Sequence, residues 1–222
     1  MDDKDAIIND FNKIANTKPS NWEHNKHYHN FLLKFIPNEC EKAIDIGCGT
    51  GEFTRLLAEK SYTVEGIDLS PEMIRVAEEE ALKYNNIKYQ VEDVLEWDLG
   101  QEKYDCIVSI ATFHHLQFKE MLLKIREALK PNGVFMILDL YKEEKLTDYL
   151  ISIAAIPINI ITMVIKTGKA KKSEEEIKAW NEHAKHDRYM TINEIEKITR
   201  EIMPNAKLKR HLFWRYSLVW RK

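Results

Sequence analysis

Apolar residues in this chain follow two spacings that alternate along much of its length. Short, mostly apolar runs predict strands, and longer stretches with helical spacing predict helices. Helical spacing over residues 5–15 and 21–35 predicts two N-terminal helices. The predicted strands cover residues 43–46, 62–67, 87–91, 104–110 and 134–138. Helical sequence separates most of these strands, and this alternation is typical of an α/β protein with a doubly wound, mostly parallel sheet.

The alternation stops after the fifth predicted strand. Residues 146–186 carry helical sequence only, which indicates an inserted cap. A helix over residues 191–203 with Thr191 as its start, and two strands over residues 206–213 and 216–220, follow the cap. We therefore expect a single domain, residues 1–222, made of N-terminal helices (1–38), a ligand-binding core (39–140), a helical cap (141–190) and a closing helix and β-hairpin (191–222).

Composition favours one globular domain and excludes few functional classes. The chain has 222 residues and 44% apolar residues, which suits one globular domain. Its net charge of −3 and pI of about 6.3 give no bulk electrostatic reason to expect DNA binding. The three cysteines, Cys40, Cys48 and Cys106, have no paired spacing, and the acidic start of the chain does not read as a secretion signal. We expect a cytoplasmic protein, and its oligomeric state stays open.

One apolar segment approaches the length of a membrane span. Residues 149–165 are nearly all apolar, but Pro157 and Asn159 interrupt them. Because the segment is short and lies between strands of one sheet, we expect no integral span and assign it to the cap. Weak contact between the cap and a lipid surface, or a hydrophobic acceptor, is the alternative. The lysine-rich residues 166–172 then read as a solvated loop, or as a contact for anionic lipid.

The most informative segment is residues 43–51, which read Ala-Ile-Asp-Ile-Gly-Cys-Gly-Thr-Gly. A strand, a glycine-rich loop and a helix start in succession are typical of a nucleotide-binding corner. A dinucleotide site usually has another glycine three residues after the second one. This chain has Glu52 there, and its carboxylate would oppose a pyrophosphate. The sequence therefore predicts a ligand that carries no phosphate.

The pattern Asp45-x-Gly47-x-Gly49-x-Gly51 resembles motif I of the class I S-adenosyl-L-methionine (SAM)-dependent methyltransferases. An acid after the second strand, an acid after the third and the apolar fourth strand follow in the same order. The Leu-Lys-Pro-Asn-Gly turn at residues 129–133 is typical of the small-molecule branch, the type 11/25-like methyltransferases. The resemblance implies a Rossmann-like, seven-stranded, mostly parallel sheet with an antiparallel last strand. N-terminal helices and a helical cap after strand five complete that fold.

The resemblance also implies roles for individual residues. Asp68, at the end of the second strand, would accept hydrogen bonds from the ribose hydroxyls. Asp93, or alternatively Glu92, would face the adenine amine. Asp45 would organise the glycine loop, and Tyr28 would either touch the carboxylate of SAM or be a packed aromatic residue. The residues expected to bind SAM are Tyr28, Asp45, Gly47, Cys48, Gly49, Gly51, Asp68, Leu69, Met73, Asp93, Val94, Ile110 and Ala111.

Methyl transfer to an acceptor requires positioning, and a base only where the acceptor proton is not acidic. His114 and His115 follow the fourth strand and are the candidate bases. Since consecutive residues do not readily face one pocket, at most one is expected to be catalytic, and we favour His115. His115, Tyr141 and His186 are expected to line the acceptor side.

The sequence thus predicts O- or N-methylation of a small-molecule or peptide acceptor, with S-adenosyl-L-homocysteine (SAH) as product. An RNA or protein methyltransferase, and a SAM-binding module without catalysis, are the alternatives. A nicotinamide oxidoreductase is disfavoured by Glu52. We expect no metal, because His24, His27 and His29 do not share one helix face as ligands would.

Overall fold

The computed structural model of the chain describes residues 3–17, 24–144, 157, 161, 164–165, 174–184 and 187–222. A seven-stranded sheet with the order β3-β2-β1-β4-β5-β7-β6 forms its centre. The strands are β1 Lys42–Ile46, β2 Thr63–Asp68, β3 Ile87–Val91, β4 Tyr104–Ile110, β5 Leu129–Leu140, β6 Lys207–His211 and β7 Arg215–Arg221. Strands β1 to β5 pair in parallel, and β7 is antiparallel to β5 and β6. The predicted fold class is confirmed.

Helices cover both faces of the sheet. They are α1 Asp3–Ala15, α2 His29–Leu32, α3 Glu52–Ala58, α4 Pro71–Glu80, α5 Phe118–Ala128, α6 Glu174–His183 and α7 Ile192–Ile202, and 3₁₀ turns occupy Lys26–Tyr28 and Phe113–His115. The sequence signals for two helix starts hold. Ser70 caps α4 by accepting from the Met73 amide at 3.1 Å, and Thr191 and Glu194 form a reciprocal capping box at α7.

Two predicted boundaries were wrong. The second N-terminal helix, expected over residues 21–35, is a 3₁₀ turn followed by the four-residue α2. A contact distant in the chain holds this segment, with the Phe31 ring against His211 of β6, so tertiary packing overrides the helical spacing. Strand β5 begins before the predicted turn: Leu129 pairs with Tyr104 and Val134 with Cys106, so residues 130–133 form a bulge inside the strand.

The two faces of the sheet bury separate apolar clusters. Ile107 of β4 belongs to the cluster that includes α5 and α7, whereas its neighbours Cys106 and Val108 belong to the cluster under α2 and α3. This alternation explains why β4 is apolar on both faces. At one edge of the sheet, β6 exposes the basic side chains of Lys207, Lys209 and Arg210.

Much of the predicted cap, residues 141–190, lies outside the described residues, and this includes most of the apolar segment 149–165. Its described helix, α6, packs against α1. Among the described residues, no helix combines the length and apolar character needed to cross a membrane. The four-part division of the domain stays a prediction.

Candidate active site at the carboxyl ends of the strands

A cleft of about 790 Å³ opens at the carboxyl ends of β1, β2 and β4, where ligands bind in open α/β sheets. The glycine loop forms its floor, and side chains from α1 and α6 form its cover. Its lining is acidic on balance. Six carboxylate residues line it (Asp45, Glu52, Asp68, Glu80, Glu92 and Asp93), against three cationic ones (Lys4, Lys26 and Arg55). The cleft therefore suits a cationic ligand better than a polyphosphate.

Two glycines of the loop are needed for different reasons. Gly47 has a φ of +69°, and a Cβ there would lie 2.1 Å from Oγ1 of Thr112, so only glycine fits. Gly49 has a φ of +53°, but a Cβ there would meet no atom within 4 Å. Packing therefore dictates the first glycine, and the second leaves the backbone open toward the cleft.

Two buried carboxylates hold this loop. Asp45 of β1 accepts a hydrogen bond from Thr54 Oγ1 at 2.7 Å, and burial raises the pKa of Asp45 to about 7. Asp68, at the end of β2, accepts from the backbone N–H groups of Gly49 and Ser70, both at 2.9 Å. Burial also raises the pKa of Asp68, and these amides act against that rise. Asp68 thus ties the end of β2 to the glycine loop and faces the cleft.

Asp93 lies on the same side of the cleft, after β3. Its Oδ1 accepts from the Leu95 amide at 2.9 Å, and its Oδ2 lies 2.5 Å from Nζ of Lys4. Burial raises the pKa of Asp93, but the Lys4 ammonium and the Leu95 amide outweigh it, so the pKa falls below its ordinary value. An ion pair from the N-terminal helix therefore occupies a carboxylate that we expected to face adenine.

Helix α1 covers the cleft, and this function was missed in the sequence. Ile7, Phe11 and Ile14 line the cleft, and the Phe11 ring stands edge-on to His115 at 5.8 Å between centroids. The Ser70 hydroxyl donates to Asn12 Oδ1 at 2.7 Å, which joins α1 to the start of α4. The amphipathic spacing of the apolar residues was the available signal, because it leaves an apolar face that must be covered.

The end of β4 turns sharply into the cleft. Ala111 has a φ of +54°, a conformation that non-glycine residues rarely adopt, and its amide donates to the Leu138 carbonyl at 2.8 Å. Ile110 and Ala111 both line the cleft, as expected for backbone that contacts a ligand. Strained backbone of this kind is concentrated at functional sites.

Beyond β4 and β5 lies a buried cluster of imidazoles and carboxylates. The backbone N–H and Nδ1 of His114 bond to the two carboxylate oxygens of Asp139, at 2.8 and 2.6 Å. Oδ1 of Asp187 lies 3.8 Å from Nε2 of His114 and 3.7 Å from Nε2 of His115. The Tyr189 hydroxyl donates to the other oxygen of Asp187. Burial lowers the pKa of His114, but Asp139 outweighs it and the pKa is raised overall.

The predicted site residues divide into two groups. Eleven of the thirteen candidates for SAM line the cleft, and so does His115. The eleven are Asp45, Gly47, Cys48, Gly49, Asp68, Leu69, Met73, Asp93, Val94, Ile110 and Ala111.

 Tyr28 and Gly51 are the two candidates that lie off the cleft. His114 and Tyr141 also lie off it, and His186 lies outside the described residues.

Tyr28 is the packed aromatic residue of the two alternatives. Its side chain is buried, and its hydroxyl donates to the Leu212 carbonyl at 2.9 Å. Burial raises the pKa of this hydroxyl to about 12. The Tyr28 hydroxyl is therefore bonded to the closing hairpin, whereas one of our two alternatives had it contacting the carboxylate of SAM. Gly51, with a φ of +73°, instead precedes α3 as its N-cap residue.

The three histidines of the N-terminal segment do not converge. His24 stacks on Phe213 at 5.0 Å between ring centroids, whereas His29 lines the cleft and lies 4.0 Å from Glu52. Glu52 also pairs with Lys26 at 2.6 Å. Burial lowers the pKa of His29 to about 4, so this imidazole is neutral near pH 7.

The chain is similar in sequence to known methyltransferases. Residues 43–133 match a family described as a methyltransferase domain. A malonyl-[acyl-carrier protein] O-methyltransferase of Ilyobacter polytropus is 31% identical over 141 residues, which cover 61% of this chain. The chain spans about half, 54%, of that relative. An uncharacterised methyltransferase of Mycobacterium tuberculosis is 23% identical over 90% of this chain and 96% of its own length.

A solved structure shares the fold over almost the whole chain. The N-methyltransferase NodS of Bradyrhizobium japonicum, crystallised with SAH, superimposes with a TM-score of 0.65 and 16% identity. The match covers 97% of this chain and 98% of NodS. At 16% identity, this likeness shows a shared fold and not a shared function.

Proposed function

We propose that this chain is a class I SAM-dependent methyltransferase that methylates a small molecule held beside His115, because residues 43–133 match a methyltransferase domain and a relative of 31% identity is an O-methyltransferase. One observation carries the proposal. The open glycine loop, the strand-end carboxylates and His115 all line the same acidic cleft. Because SAM is cationic at its sulfonium and ammonium and carries no phosphate, the charge of the cleft suits it.

The donor side of the cleft has groups suited to each part of SAM. The open space at Gly49 admits the ligand close to the backbone. We assign Asp68, which holds the glycine loop, to the ribose hydroxyls, and Asp93 to the adenine amine once Lys4 moves away. When bound, SAM supplies an electrophilic methyl group. The turn at Ala111 directs the backbone after β4 toward the part of the cleft where that methyl would lie.

On the acceptor side, His115 is the candidate base that lines the cleft. The chain must hold the accepting atom about 3 Å from the methyl carbon and in line with the breaking carbon–sulfur bond. Where the acceptor carries a proton that must leave, the His115 imidazole is placed to take it. His114 lies behind it, bonded to Asp139, and we assign it a positioning role.

The acceptor that fits this cleft is small and partly apolar. Phe11, Leu116 and Trp180 add apolar surface to the lining, and α1 covers the opening. An O-methyltransferase is among the named relatives, which favours an oxygen acceptor, and a nitrogen acceptor is the alternative. A carboxylate acceptor would need no base, whereas an alcohol or phenol would use His115.

Calorimetry and product analysis test the proposal. Purified protein is titrated with SAM, SAH and NAD, and SAH formation is then followed by mass spectrometry with a malonyl thioester, an alkylamine and a phenol. We expect SAM and SAH to bind, NAD not to bind, and one acceptor class to yield SAH. Binding of NAD in place of SAM overturns the proposal. SAM binding without SAH formation from any acceptor or cell extract indicates a binding module instead.

A matched pair of variants tests the role of His115. His115→Gln should reduce SAH formation at least 100-fold for an acceptor that must lose a proton, because general-base catalysis contributes about that much. The affinity for SAM should stay within about twofold, since His115 is assigned to the acceptor and not to SAM. His24→Gln, which changes a histidine stacked on Phe213, is the control and should keep full activity. Equal activity of both variants removes His115 from the chemistry.

A further inference from the structure

Three possible metal ligands converge behind the acceptor side of the cleft. His114 and His115 come from the 3₁₀ turn after β4, and Asp187 comes from the segment after α6. One ligand atom from each lies within 4.8 Å of the other two. Among the described residues, no other group of three histidine, cysteine or acidic side chains has this geometry.

We propose that His114, His115 and Asp187 bind one divalent transition-metal ion of the zinc class through Nε2, Nε2 and Oδ1. Two imidazoles and one carboxylate form a donor set that suits such ions. The Oδ1 atom lies 3.8 and 3.7 Å from the two Nε2 atoms. Ligand atoms about 2.0–2.2 Å from a shared ion lie only slightly closer to one another, so small side-chain rotations suffice.

The groups behind the ligands have the arrangement typical of metal sites. Asp139 bonds to Nδ1 of His114 at 2.6 Å, which leaves Nε2 directed toward Asp187. A carboxylate behind a histidine ligand fixes its ring orientation and increases its basicity. The Tyr189 hydroxyl holds the second oxygen of Asp187. His114, Asp139 and the pair Asp187 and Tyr189 come from three separate segments, yet they orient the ligand atoms toward one point.

Burial and charge also favour a cation at this point. The exposed fractions of the His114, His115 and Asp187 side chains are 5%, 7% and 6%. Two carboxylates, Asp139 and Asp187, share this buried volume, and the buried Arg215 nearby supplies one positive charge against these two negative ones. Buried carboxylates need a compensating charge, and a divalent ion would supply one.

The site would be open toward the acceptor. His115 lines the cleft, whereas His114 and Asp187 do not, so a further ligand would reach the ion from the cleft, on the side of His115. An acceptor hydroxyl, thiol or amine bound there would lose its proton to water more readily, and its lone pair would then attack the methyl carbon. In this metal-bound form His115 is a ligand and not the base. This extension rests on the proposed methyl transfer, but the binding site itself does not.

Cobalt(II) titration tests the site without any use of activity. Protein stripped with a chelator is titrated with Co²⁺ in the absence of SAM, and the visible d–d absorption reports nitrogen and oxygen ligands in a low-coordinate site. We expect one saturable site. His115→Gln and Asp187→Asn should each weaken Co²⁺ binding at least 100-fold, and Asp139→Asn should weaken it about 10–100-fold. His211→Gln, a histidine bonded to Ser217 elsewhere, should leave it unchanged.

The outcomes separate this site from the proposed function. Absence of saturable Co²⁺ binding, or binding that survives both His115→Gln and Asp187→Asn, overturns the metal site. X-ray absorption of the unmodified protein loaded with Zn²⁺ serves if these variants do not fold. Imidazole scattering from two ligands at about 2.0–2.1 Å supports the site, and a shell of oxygen alone overturns it. SAM binding is measured in the same metal-free protein, so its failure counts against the methyltransferase proposal alone.

Discussion

The two halves of the cleft are built in different ways. The donor half uses backbone and carboxylates at the ends of β1, β2 and β3, which are neighbours in the sheet. The proposed acceptor half has His115 in the cleft lining and His114, Asp139 and Asp187 behind it, and these residues come from segments up to 73 residues apart in the chain. Local chain geometry therefore determines the donor half, whereas the acceptor half exists only once distant segments have packed together.

The two halves also shift the pKa values of their histidines in opposite directions. In the donor half, burial keeps His29 neutral and lowers its pKa to about 4. In the acceptor half, Asp139 outweighs the effect of burial and raises the pKa of His114. The same side chain is thus prepared for opposite charge states by its surroundings.

The largest effect should come from breaking the donor half at Gly47. Gly47→Ala combines a positive φ with a Cβ 2.1 Å from Thr112 Oγ1, so we expect it to lower the free energy of unfolding by about 2–5 kcal/mol. Gly100→Ala is the matched control, because Gly100 has a φ of +74° but its nearest contact would be 3.4 Å away. Urea denaturation measures both. Equal losses would show that the contact with Thr112 has no importance.

Loss of the carboxylate at Asp68 should weaken the donor half without unfolding it. Asp68→Ala should reduce the affinity for SAM by about 1.5–3 kcal/mol, roughly 10–150-fold, as expected for a charge-assisted hydrogen bond. Asp98→Ala is the control, because Asp98 also accepts from a loop glycine amide, that of Gly100, but lies off the cleft. Calorimetry measures both affinities. An unchanged affinity of Asp68→Ala removes this residue from the site.

The neutral state of His29 should make stability sensitive to acid. Its pKa in the folded state is about 4, below the ordinary value of 6.5. The unfolded state therefore binds the proton first, and stability is lost as the pH falls from about 6.5 toward 4. Between pH 7 and pH 5 the unmodified protein should lose about 2 kcal/mol more than His29→Gln. Parallel loss in both proteins, measured by urea denaturation, would contradict this.

The smallest effect should come from the cover of the donor half. Lys4→Met releases the Asp93 carboxylate for the adenine amine, so we expect SAM to bind up to about fivefold more tightly, as suits an ion pair worth at most about 1 kcal/mol. Lys13→Met, which changes another lysine of α1, is the control. Weaker binding of SAM by Lys4→Met would show that the ion pair mainly holds α1 in place.

The donor half could be predicted because its signals are local. The spacing of Gly47, Gly49 and Gly51 and the acids at strand ends are visible in short stretches of sequence, and Asp45, Asp68 and Asp93 all line the cleft. The sheet could be predicted for the same reason, since each strand has its own apolar run.

The acceptor half could not be predicted in this way. Its geometry depends on which distant segments meet, and no local spacing connects Asp139 or Asp187 with His114. The same limit applies to α1: its amphipathic spacing shows that one face is covered, but not that the cleft lies beneath it. Tyr28 illustrates the reverse error, because the hairpin that takes its hydroxyl lies 184 residues away in the chain.

The basic side chains on β6 have a consequence for how molecules of this protein meet. An outermost strand offers unused peptide groups to any extended segment that approaches, and this is a common route to aggregation. Here a newcomer would encounter Lys207, Lys209 and Arg210 along that border. The positive charges of two β6 strands repel each other, which discourages self-association by strand addition. Strand β6 therefore remains the outermost strand at this edge of the sheet.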